Sequence, residues 1–281
     1  MNGILLINKV KGLTSRDVVN EISKKYHTKK VGHAGTLDPI ASGLLIIGIN
    51  GGTKILELLT LDKKEYVATV KMGIKTDTLD ITGNVLLEEE INTIDEKKLE
   101  KVLKTFTGSY EQTVPKYSAV KITGKRLYEY ARKNEEVTLP KRIVNIYNIE
   151  LLNVDLENKE FTFKTLVSKG TYIRSLIDDI SNKLNICCTM KDLVRTKSGK
   201  FKIEDSYLIE EDHNIIDIKD ALDFKIIKVN NQDMLKKIKN GNKIDLLNED
   251  SLYITFIDEN DQEIAIYQKD EKIEYKAFKV F

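Results

Sequence analysis

Apolar and polar residues repeat along the chain with two periods, which predict strands and helices. Two segments, "EYVATVKMG" (65–73) and "FTFKTLV" (161–167), have an apolar residue at every second position, as half-buried strands do. Two others, "GILLIN" (3–8) and "GLLIIGI" (43–49), are unbroken apolar runs typical of strands buried on both faces. All four segments are therefore predicted as strands.

Helical spacing appears in three segments. Thr14 and Asp17 are spaced as a capping box before the first, and Thr93 and Glu96 before the second. The third follows "SKGTYIR" (168–174) directly. In each segment, apolar residues at helical spacing form one face for burial. These faces consist of Val18, Val19, Ile22 and Tyr26, of Leu99, Val102, Leu103 and Phe106, and of Leu176, Ile177, Ile180 and Leu184.

The less regular segments are predicted as a loop, a linker and a small tail. The first part of "VGHAGTLDPIASGLL" (31–45) is predicted as a loop that opens into the following strand. The acidic segment 203–223 is the best linker candidate, and its spaced Ile and Leu residues indicate that it docks on another part of the chain. "SLYITFID" (251–258) and "EIAIYQ" (263–268) are predicted as short strands, closed by "KAFKVF" (276–281). A tail of about 55 residues is too small to bury a large core alone.

Composition indicates an ordinary globular chain. Its 281 residues are 41% hydrophobic and 32% charged, enough for one large domain or a large and a small one. No run approaches the roughly 18 apolar residues that span a bilayer, and "MNGILLINKVKG" lacks a signal-peptide pattern. The two cysteines, Cys187 and Cys188, are adjacent and the three histidines are scattered, which suits neither a disulfide framework nor a metal cluster. We therefore expect a cytoplasmic protein without a structural metal.

The net charge of +1 hides strong charge patterning. Basic segments at 1–60, 116–142 and 187–202 carry net charges of +4, +5 and +4. Acidic segments at 77–100 and 203–223 carry −6 and −7. Basic segments that converge in the fold would give a polyanion a local binding track. Taken alone, each segment is better explained as a solvated face, since charge runs usually lie at the surface.

Asp38 is the residue with the strongest chemical signal. An Asp before a proline in a Gly-rich loop is most often a turn residue whose side chain binds a nearby amide. However, this loop opens into a rigid apolar strand, and "GTYIR" (170–174) places Arg174 at the start of a helix. An Arg beside a carboxylate favours its ionised form, as a nucleophile or a base requires. Arg174 could instead be a surface or phosphate-contact residue, and Tyr66 could be core packing rather than an aromatic platform.

Five blocks in one order resemble the TruB family of bacterial tRNA pseudouridine-55 synthases. They are "KVGHAGTLDPIASGLL" (30–45), "GGTK" (51–54), "KEYVATVKMGIKTDTLDITG" (64–83), "VPKYSAVKITGKRLYEYAR" (114–132) and "KGTYIRSLIDDI" (169–180). The resemblance covers roughly residues 3–200. A weaker similarity links the tail after about residue 225 to the small RNA-binding PUA-type domain that ends many members.

The resemblance implies an α+β fold with a large mixed, mainly antiparallel sheet flanked by helices and a small β-rich, PUA-like domain at the C-terminus. The implied domains are a catalytic domain at 1–222 and the small domain at 223–281. Within the first, about 114–142 aligns with an RNA-clamping insertion, which would give its positive charge a purpose.

The resemblance also implies roles for single residues. Asp38 matches the catalytic aspartate that acts as nucleophile, and Arg174 the arginine that pairs with it. Tyr66 matches the tyrosine that stacks on the extruded uracil, and Tyr172 a tyrosine near the substrate. His33 is similar to the histidine that occupies the space left by the flipped base.

Three further positions match at the cleft. Leu193 corresponds to an apolar residue of the uracil pocket, Asp80 to a second aspartate, and Lys54 to a basic residue. The sequence departs from the family at Val10 and Ile46, where members usually have proline. These departures bear on local rigidity and do not reach the chemistry.

The implied activity is isomerisation of uridine to pseudouridine at position 55, in the T-arm loop of tRNA. The reaction breaks the C1′–N1 bond, turns the uracil and forms a C–C bond, so it demands neither cofactor nor metal. The base must first be flipped out, at a cost of a few kcal/mol, of which stacking on Tyr66 could return about 1–3 kcal/mol. The expected partner is tRNA, bound by a monomer without guide RNA or membrane.

Two other functions remain open on the sequence. One is a metal-assisted phosphohydrolase with Asp38, Asp77 and Asp80 as magnesium ligands. The other is a non-catalytic protein that binds or folds RNA through the same basic surfaces. A guide-independent synthase that acts on other RNA is a variant of the first hypothesis. Whether Asp38 attacks C1′ or C6, or removes a ribose proton, is left open by the residues.

Overall fold

The computed structural model describes residues 2–133, 135–271 and 273–281. The strands are β1 (Gly3–Lys9), β2 (Val31–Ala34), β3 (Ser42–Ile49), β4 (Lys64–Met72), β5 (Ile74–Thr76), β6 (Val85–Glu88), β7 (Gly108–Thr113), β8 (Lys121–Ile122), β9 (Lys125–Arg126), β10 (Lys141–Asp155), β11 (Glu160–Val167), β12 (Cys188–Ser198), β13 (Phe201–Lys202), β14 (Lys225–Lys228), β15 (Ile244–Asp245), β16 (Tyr253–Ile257), β17 (Glu263–Lys269) and β18 (Glu274–Val280). The α-helices are α1 (Ser15–Lys25), α2 (Leu56–Thr60), α3 (Glu96–Lys104), α4 (Leu127–Arg132), α5 (Ile173–Leu184), α6 (Ile218–Ala221) and α7 (Gln232–Lys239). Short 3₁₀ helices cover Asn50–Ile55 and Ile203–Asp205. Among the described residues, no helix is long and apolar enough to cross a membrane.

A nine-stranded sheet organises the larger part of the described chain. Its order is β1-β3-β12-β4-β11-β10-β7, with β2 beside β3 and β13 beside β12. Neighbours are antiparallel except β3 and β12, which run parallel. Apolar residues of α1, α3 and α5 pack on one face, and those of α2 and α6 on the opposite face. The predicted mixed, mainly antiparallel sheet flanked by helices is confirmed.

Burial in the strands follows the sequence periods. The buried residues of β4 alternate with half-buried ones, and residues 43–49 of β3 are all buried. In β1, Leu5 and Ile7 enter one core while Ile4 and Leu6 enter the other. The predictions of a one-sided strand and of strands buried on both faces are therefore confirmed.

Two of the three helix starts agree with the sequence and one differs. The Thr14 hydroxyl and the Asp17 carboxylate cap α1 reciprocally, as predicted, and α5 follows Tyr172 directly. The predicted Thr93–Glu96 box before α3 is wrong, because Asp95 is the cap and its carboxylate accepts a hydrogen bond from Lys98 N at 3.1 Å. Both carboxylates and hydroxyls are good caps, so sequence spacing alone did not choose between neighbouring candidates.

The segment predicted as a loop before residue 42 is partly a strand. Its first four residues, Val31–Ala34, form β2 and pair with β3 from Ile49 to Ile46. A four-residue strand that contains a glycine has no readable alternation, so only its partner reveals it. The loop proper therefore runs from residue 35 to residue 41 and is held between two strands of the sheet.

The C-terminal region forms a second, five-stranded sheet in the order β14-β16-β17-β18-β15. It has its own small apolar core, and Ile266 also joins the core beneath β1 and β3. The acidic segment 203–223 docks as expected, since Tyr207 and Ile216 form β-bridges to β1. The tail is β-rich, as predicted, and a domain boundary at residue 222 stays a prediction.

Replacing Gly43 with alanine tests the parallel junction of β3 and β12. Gly43 has φ +100° and an added Cβ would overlap the backbone of Arg195, its partner across the two strands. We expect Gly43→Ala to lower the free energy of unfolding by roughly 2–4 kcal/mol, because strain and overlap add. Chemical denaturation followed by circular dichroism measures this.

Gly12→Ala is the matched control, since Gly12 has φ +89° with no atom within 4 Å of an added Cβ. It isolates the cost of the backbone conformation. Equal losses of stability in the two variants would contradict a tight approach at Gly43.

Candidate active site

The loop that carries Asp38 is anchored at several backbone positions. The Ser15 hydroxyl at the start of α1 accepts from Leu37 N at 2.9 Å and donates to Leu37 O at 3.2 Å. Gly12 N donates to Pro39 O, and Ala41 N donates to Asp38 O, at 2.8 and 3.0 Å. The loop therefore holds its shape through backbone contacts and leaves the Asp38 side chain available for another partner.

That partner is Arg174. Its Nε donates to Asp38 Oδ2 at 2.9 Å, while Nη1 donates to Thr78 O at 3.0 Å and Nη2 to Tyr117 O at 2.9 Å. The Arg174 side chain is 6% exposed, whereas that of Asp38 is 37% exposed. A buried guanidinium thus fixes a carboxylate that solvent, and hence a substrate, can reach. The predicted pairing of Asp38 with Arg174 is present.

Asp80 lies beside this pair. Its Oδ2 is 4.0 Å from Arg174 Nε, and its side chain is buried. Its Oδ1 accepts hydrogen bonds from the Thr78 hydroxyl and from Thr82 N and Oγ1. Asp80 also forms a β-bridge to Met190. It therefore holds the turn that presents the Thr78 carbonyl to Arg174, and contributes a second negative charge near the guanidinium.

Tyr66, Leu193 and His33 come from the strands that surround the Asp38 loop. Tyr66 and Leu193 are buried on neighbouring strands, β4 and β12, in the same apolar core. His33 lies on β2, and its Nδ1 is buried without a hydrogen-bond partner among the described residues. Burial, with a contribution from Arg195, lowers the pKa of His33. The His33 imidazole is therefore held in its neutral form.

Tyr172 is the residue from which α5 starts, two positions before Arg174. The Arg142 guanidinium lies 5.5 Å from the centroid of the Tyr172 ring. The backbone N and O of Tyr172 are both bound by the Gln112 side chain. The structure therefore connects Tyr172 to Arg174 through the first turn of the helix.

Lys54 is not brought to this group. Its Nζ donates to Val280 O at 2.6 Å and lies 5.6 Å from the Phe281 ring. These contacts attach the 3₁₀ helix after β3 to the end of β18. The structure thus connects Lys54 with the C-terminal sheet and gives it no contact with Asp38 or Arg174.

The three carboxylates of the magnesium hypothesis are engaged separately. Asp38 pairs with Arg174, and Asp80 binds the hydroxyls of its own turn. Asp77 accepts from Asn84 N at 2.8 Å and from Asn84 Nδ2 at 3.1 Å. Within the described ranges, no group of three His, Cys, Asp or Glu residues is arranged to hold a metal ion. The donor set does not fit a magnesium site.

The basic segment 114–142 reaches the site through its backbone. Apart from Asn134, it comprises the β8–β9 hairpin and α4, closed by the bond from Val114 N to Pro140 O. Lys125 Nζ lies 4.3 Å from the Tyr130 ring centroid. The Tyr117 carbonyl that Arg174 binds belongs to this segment. The segment that binds Arg174 through the Tyr117 carbonyl therefore also carries basic and aromatic side chains.

A family model for the N-terminal domain of TruB family pseudouridylate synthases matches residues 23–173. This range includes His33, Asp38, Tyr66 and Asp80 and ends next to Arg174. The chain belongs to the TruB family of pseudouridylate synthases.

Relatives in the TruB family match over almost the whole chain. A protein named tRNA pseudouridine synthase B in Mesoplasma florum is 41% identical over 276 residues, covering 96% of this chain and 94% of the relative. Another with the same name, in Clostridium tetani, is 43% identical over 280 residues and covers 97% and 94%. The similarity thus includes the C-terminal sheet.

Solved structures agree on the fold. A Cbf5–Nop10–Gar1 complex contains a chain with a TM-score of 0.70 and 24% identity, covering 99% of this chain and 85% of that one. A box H/ACA Nop10–Cbf5 complex gives 0.67 at 22% identity. The pseudouridine-synthase fold with a PUA-like C-terminal sheet is thereby confirmed.

Lys9 and Arg195 are buried cations of this TruB member that were not singled out from the sequence. The Lys9 ammonium donates to Val10 O and Leu13 O at 3.1 and 2.7 Å, and the Arg195 Nε donates to Leu44 O at 2.6 Å. Both side chains are almost fully buried. Each interrupts or ends an apolar stretch, "ILLINK" and "DLVRT", and a cation in such a stretch is the signal that could have identified them.

Lys9 predicts a pH dependence of stability. Burial lowers the pKa of its ammonium to about 8, against an opposing attraction to Asp38. The unfolded chain keeps this proton up to its ordinary value of 10.5. Between these values the unfolded state binds more protons, so the free energy of unfolding due to Lys9 rises with pH. Urea denaturation of wild type and Lys9→Met from pH 7 to 10 measures this as their difference.

The wild type should gain stability relative to Lys9→Met as the pH rises above 8. A difference that is constant from pH 7 to 10, or that shrinks, would contradict the lowered pKa of the buried ammonium.

Proposed function

We propose that the protein isomerises uridine to pseudouridine at position 55, in the T-arm loop of tRNA, with Asp38 as the nucleophile. The observation that carries this is the Asp38 carboxylate, 37% exposed and held by a guanidinium that is 6% exposed. Relatives of near-equal length are named tRNA pseudouridine synthase B. They support tRNA uridine as the substrate.

The geometry suits the chemistry of a glycosidic isomerisation. Arg174 engages Asp38 Oδ2 through its Nε and restrains the position of the carboxylate. The carboxylate can then meet the flipped nucleotide in one orientation without a search among rotamers. In the reaction the C1′–N1 bond breaks, the C1′–C5 bond forms, C5 loses its proton and N1 gains one.

The strands around the loop supply what an extruded base needs. Tyr66 offers an aromatic face at the edge of the core, and Leu193 an apolar wall. A base stacked on such a face recovers about 1–3 kcal/mol of the few lost on leaving the RNA stack. Burial lowers the pKa of His33, so its imidazole is neutral. This ring is suited to fill the space that the flipped base leaves in the RNA.

A single chain without a guide RNA is the proposed form. The basic segment 114–142 supplies the Tyr117 carbonyl to Arg174. Cations on this segment would bind tRNA phosphates, so affinity should depend on salt. The chain would thereby hold its own substrate.

Replacing Asp38 with asparagine tests the proposed nucleophile. Asparagine keeps the volume but lacks the charge, so tritium release from tRNA with 5-tritiated uridine should fall below detection. Binding of tRNA should change by less than about threefold, because most affinity comes from phosphates. Unchanged tritium release in Asp38→Asn would overturn the assignment.

Asp77→Asn is the matched control, because Asp77 lies in the turn after β5 and its carboxylate binds only Asn84 among the described residues. It should keep its activity, and wild type should keep its activity in EDTA. Loss of activity in both tests would favour a metal-dependent enzyme. A wild type that binds tRNA without tritium release would be an RNA-binding or folding protein.

Replacing Tyr66 with alanine tests the stacking platform. We expect a fall of at least 100-fold in turnover with less than a threefold loss of tRNA affinity, since the flipped base is the only part of the tRNA that the ring would contact. Single-turnover assays and filter binding measure the two quantities.

The control for lost packing is Val70→Ala, on the same buried face of β4. It removes core contacts without removing an aromatic ring, so turnover should stay near the wild-type value. A parallel loss of affinity and turnover in Tyr66→Ala would instead make Tyr66 a structural residue.

A further inference from the structure

Gln112 is a polar residue buried completely on β7. Its Nε2 donates to Tyr172 O at 3.1 Å and to the Tyr110 hydroxyl at 2.6 Å. Its Oε1 accepts from Tyr172 N at 2.8 Å. Both N–H groups and the oxygen of the amide are used, so only one orientation of the side chain satisfies all three contacts.

The two bonds to Tyr172 act where a helix begins without a side-chain cap. Tyr172 is the N-cap residue of α5, and no side chain provides the cap hydrogen bond. Its carbonyl accepts from Leu176 N at 3.0 Å, the first bond of the helix. Gln112 pairs with both peptide groups of Tyr172, as an adjacent strand would. The N-cap residue of α5 is thereby tied to the nine-stranded sheet.

Arg174 lies in the turn that this contact holds. The acceptors at the far end of its side chain belong to Asp38, Thr78 and Tyr117, which lie outside helices and strands. The near end is therefore the part of Arg174 that is anchored to regular structure. A shift of the Tyr172 peptide would move the guanidinium relative to the Asp38 carboxylate.

We propose that Gln112 is a positioning residue for the isomerisation, which holds the start of α5 so that Arg174 meets Asp38 correctly. This inference rests on the function proposed above. Gln112 acts through Tyr172 and Arg174 and does not touch the reacting atoms. Displacements of about 1 Å at a catalytic group can cost 100-fold in rate.

A second contact supports the fixed orientation of the amide. The Tyr110 hydroxyl accepts from Gln112 Nε2 at 2.6 Å and lies near the Asp179 carboxyl of α5. Burial, together with the charge of Asp179, raises the pKa of Tyr110, so its hydroxyl stays protonated. The bond between Gln112 and Tyr110 therefore helps to hold the amide in the orientation that pairs with Tyr172.

The test compares two Gln112 variants with a control at the other end of the same helix. Gln112→Leu removes all three hydrogen bonds at similar volume, and Gln112→Asn keeps an amide too short to span both peptide groups. Ser181→Ala is the control, because the Ser181 hydroxyl also makes two buried backbone contacts, to Ile186 O and Cys188 N. Single-turnover pseudouridine formation, tRNA affinity and unfolding midpoints are measured for each.

We expect both Gln112 variants to lose roughly 10- to 100-fold in the single-turnover rate constant, with tRNA affinity within about threefold of wild type. Ser181→Ala should lose stability but keep its rate constant within about twofold. Rate constants are expressed per tRNA-binding molecule, so unfolded protein does not count. If Gln112→Leu does not fold, Gln112→Asn decides.

Rate constants within twofold of wild type in the folded Gln112 variants would overturn the inference. It would also be overturned by an equal slowing in Ser181→Ala, or by a loss confined to affinity. Failure of the proposed function is distinct, because wild type itself would then form no pseudouridine in tRNA.

Discussion

The structure of the site depends on one buried guanidinium. A buried cation is tolerated only when its donors are satisfied, and Arg174 bonds to Asp38, Thr78 and Tyr117 from within the protein. The loop before β3, the turn after β5, the segment after β7 and the start of α5 must therefore meet at one point. The same requirement holds the Asp38 carboxylate in place while leaving it accessible.

Two more buried cations surround the Asp38 loop. The Lys9 ammonium binds carbonyls at residues 10 and 13, and the Arg195 guanidinium binds those of Leu44 and Gly35. Backbone dipoles offset these two charges only in part, so a positive electrostatic potential remains at the Asp38 loop. The parallel junction of β3 and β12 brings Arg195 to Gly43, where a side chain would not fit. The fold thus places two buried cations close to the loop that carries Asp38.

Much of the fold follows from local patterns. The alternation in β4, the continuous apolar run of β3 and the capping box at Thr14 predicted the strands and the start of α1 correctly. These signals depend on residues within one turn or one strand, so they can be read without knowing which elements pack together. The pairing of Asp38 with Arg174 was also anticipated, because both residues sit in recognisable blocks. The loop predicted at Val31–Ala34 was wrong because the pairing of this segment with β3 cannot be read locally. The cap predicted before α3 was wrong because two residues of the same short segment, Thr93 and Asp95, are both good caps.

The sequence by itself determined the periodic elements, the charge pattern and the residue types of the Asp38–Arg174 pair. The tertiary structure decided which distant residues meet. It attached Lys54 to β18 and buried Lys9 and Arg195 among backbone carbonyls. It also placed Gln112 against Tyr172, 60 residues away. The periodicity of a sequence shows which side of a helix or strand is buried. Hydrogen-bond partners that are distant in sequence are determined only when the chain folds into its tertiary structure.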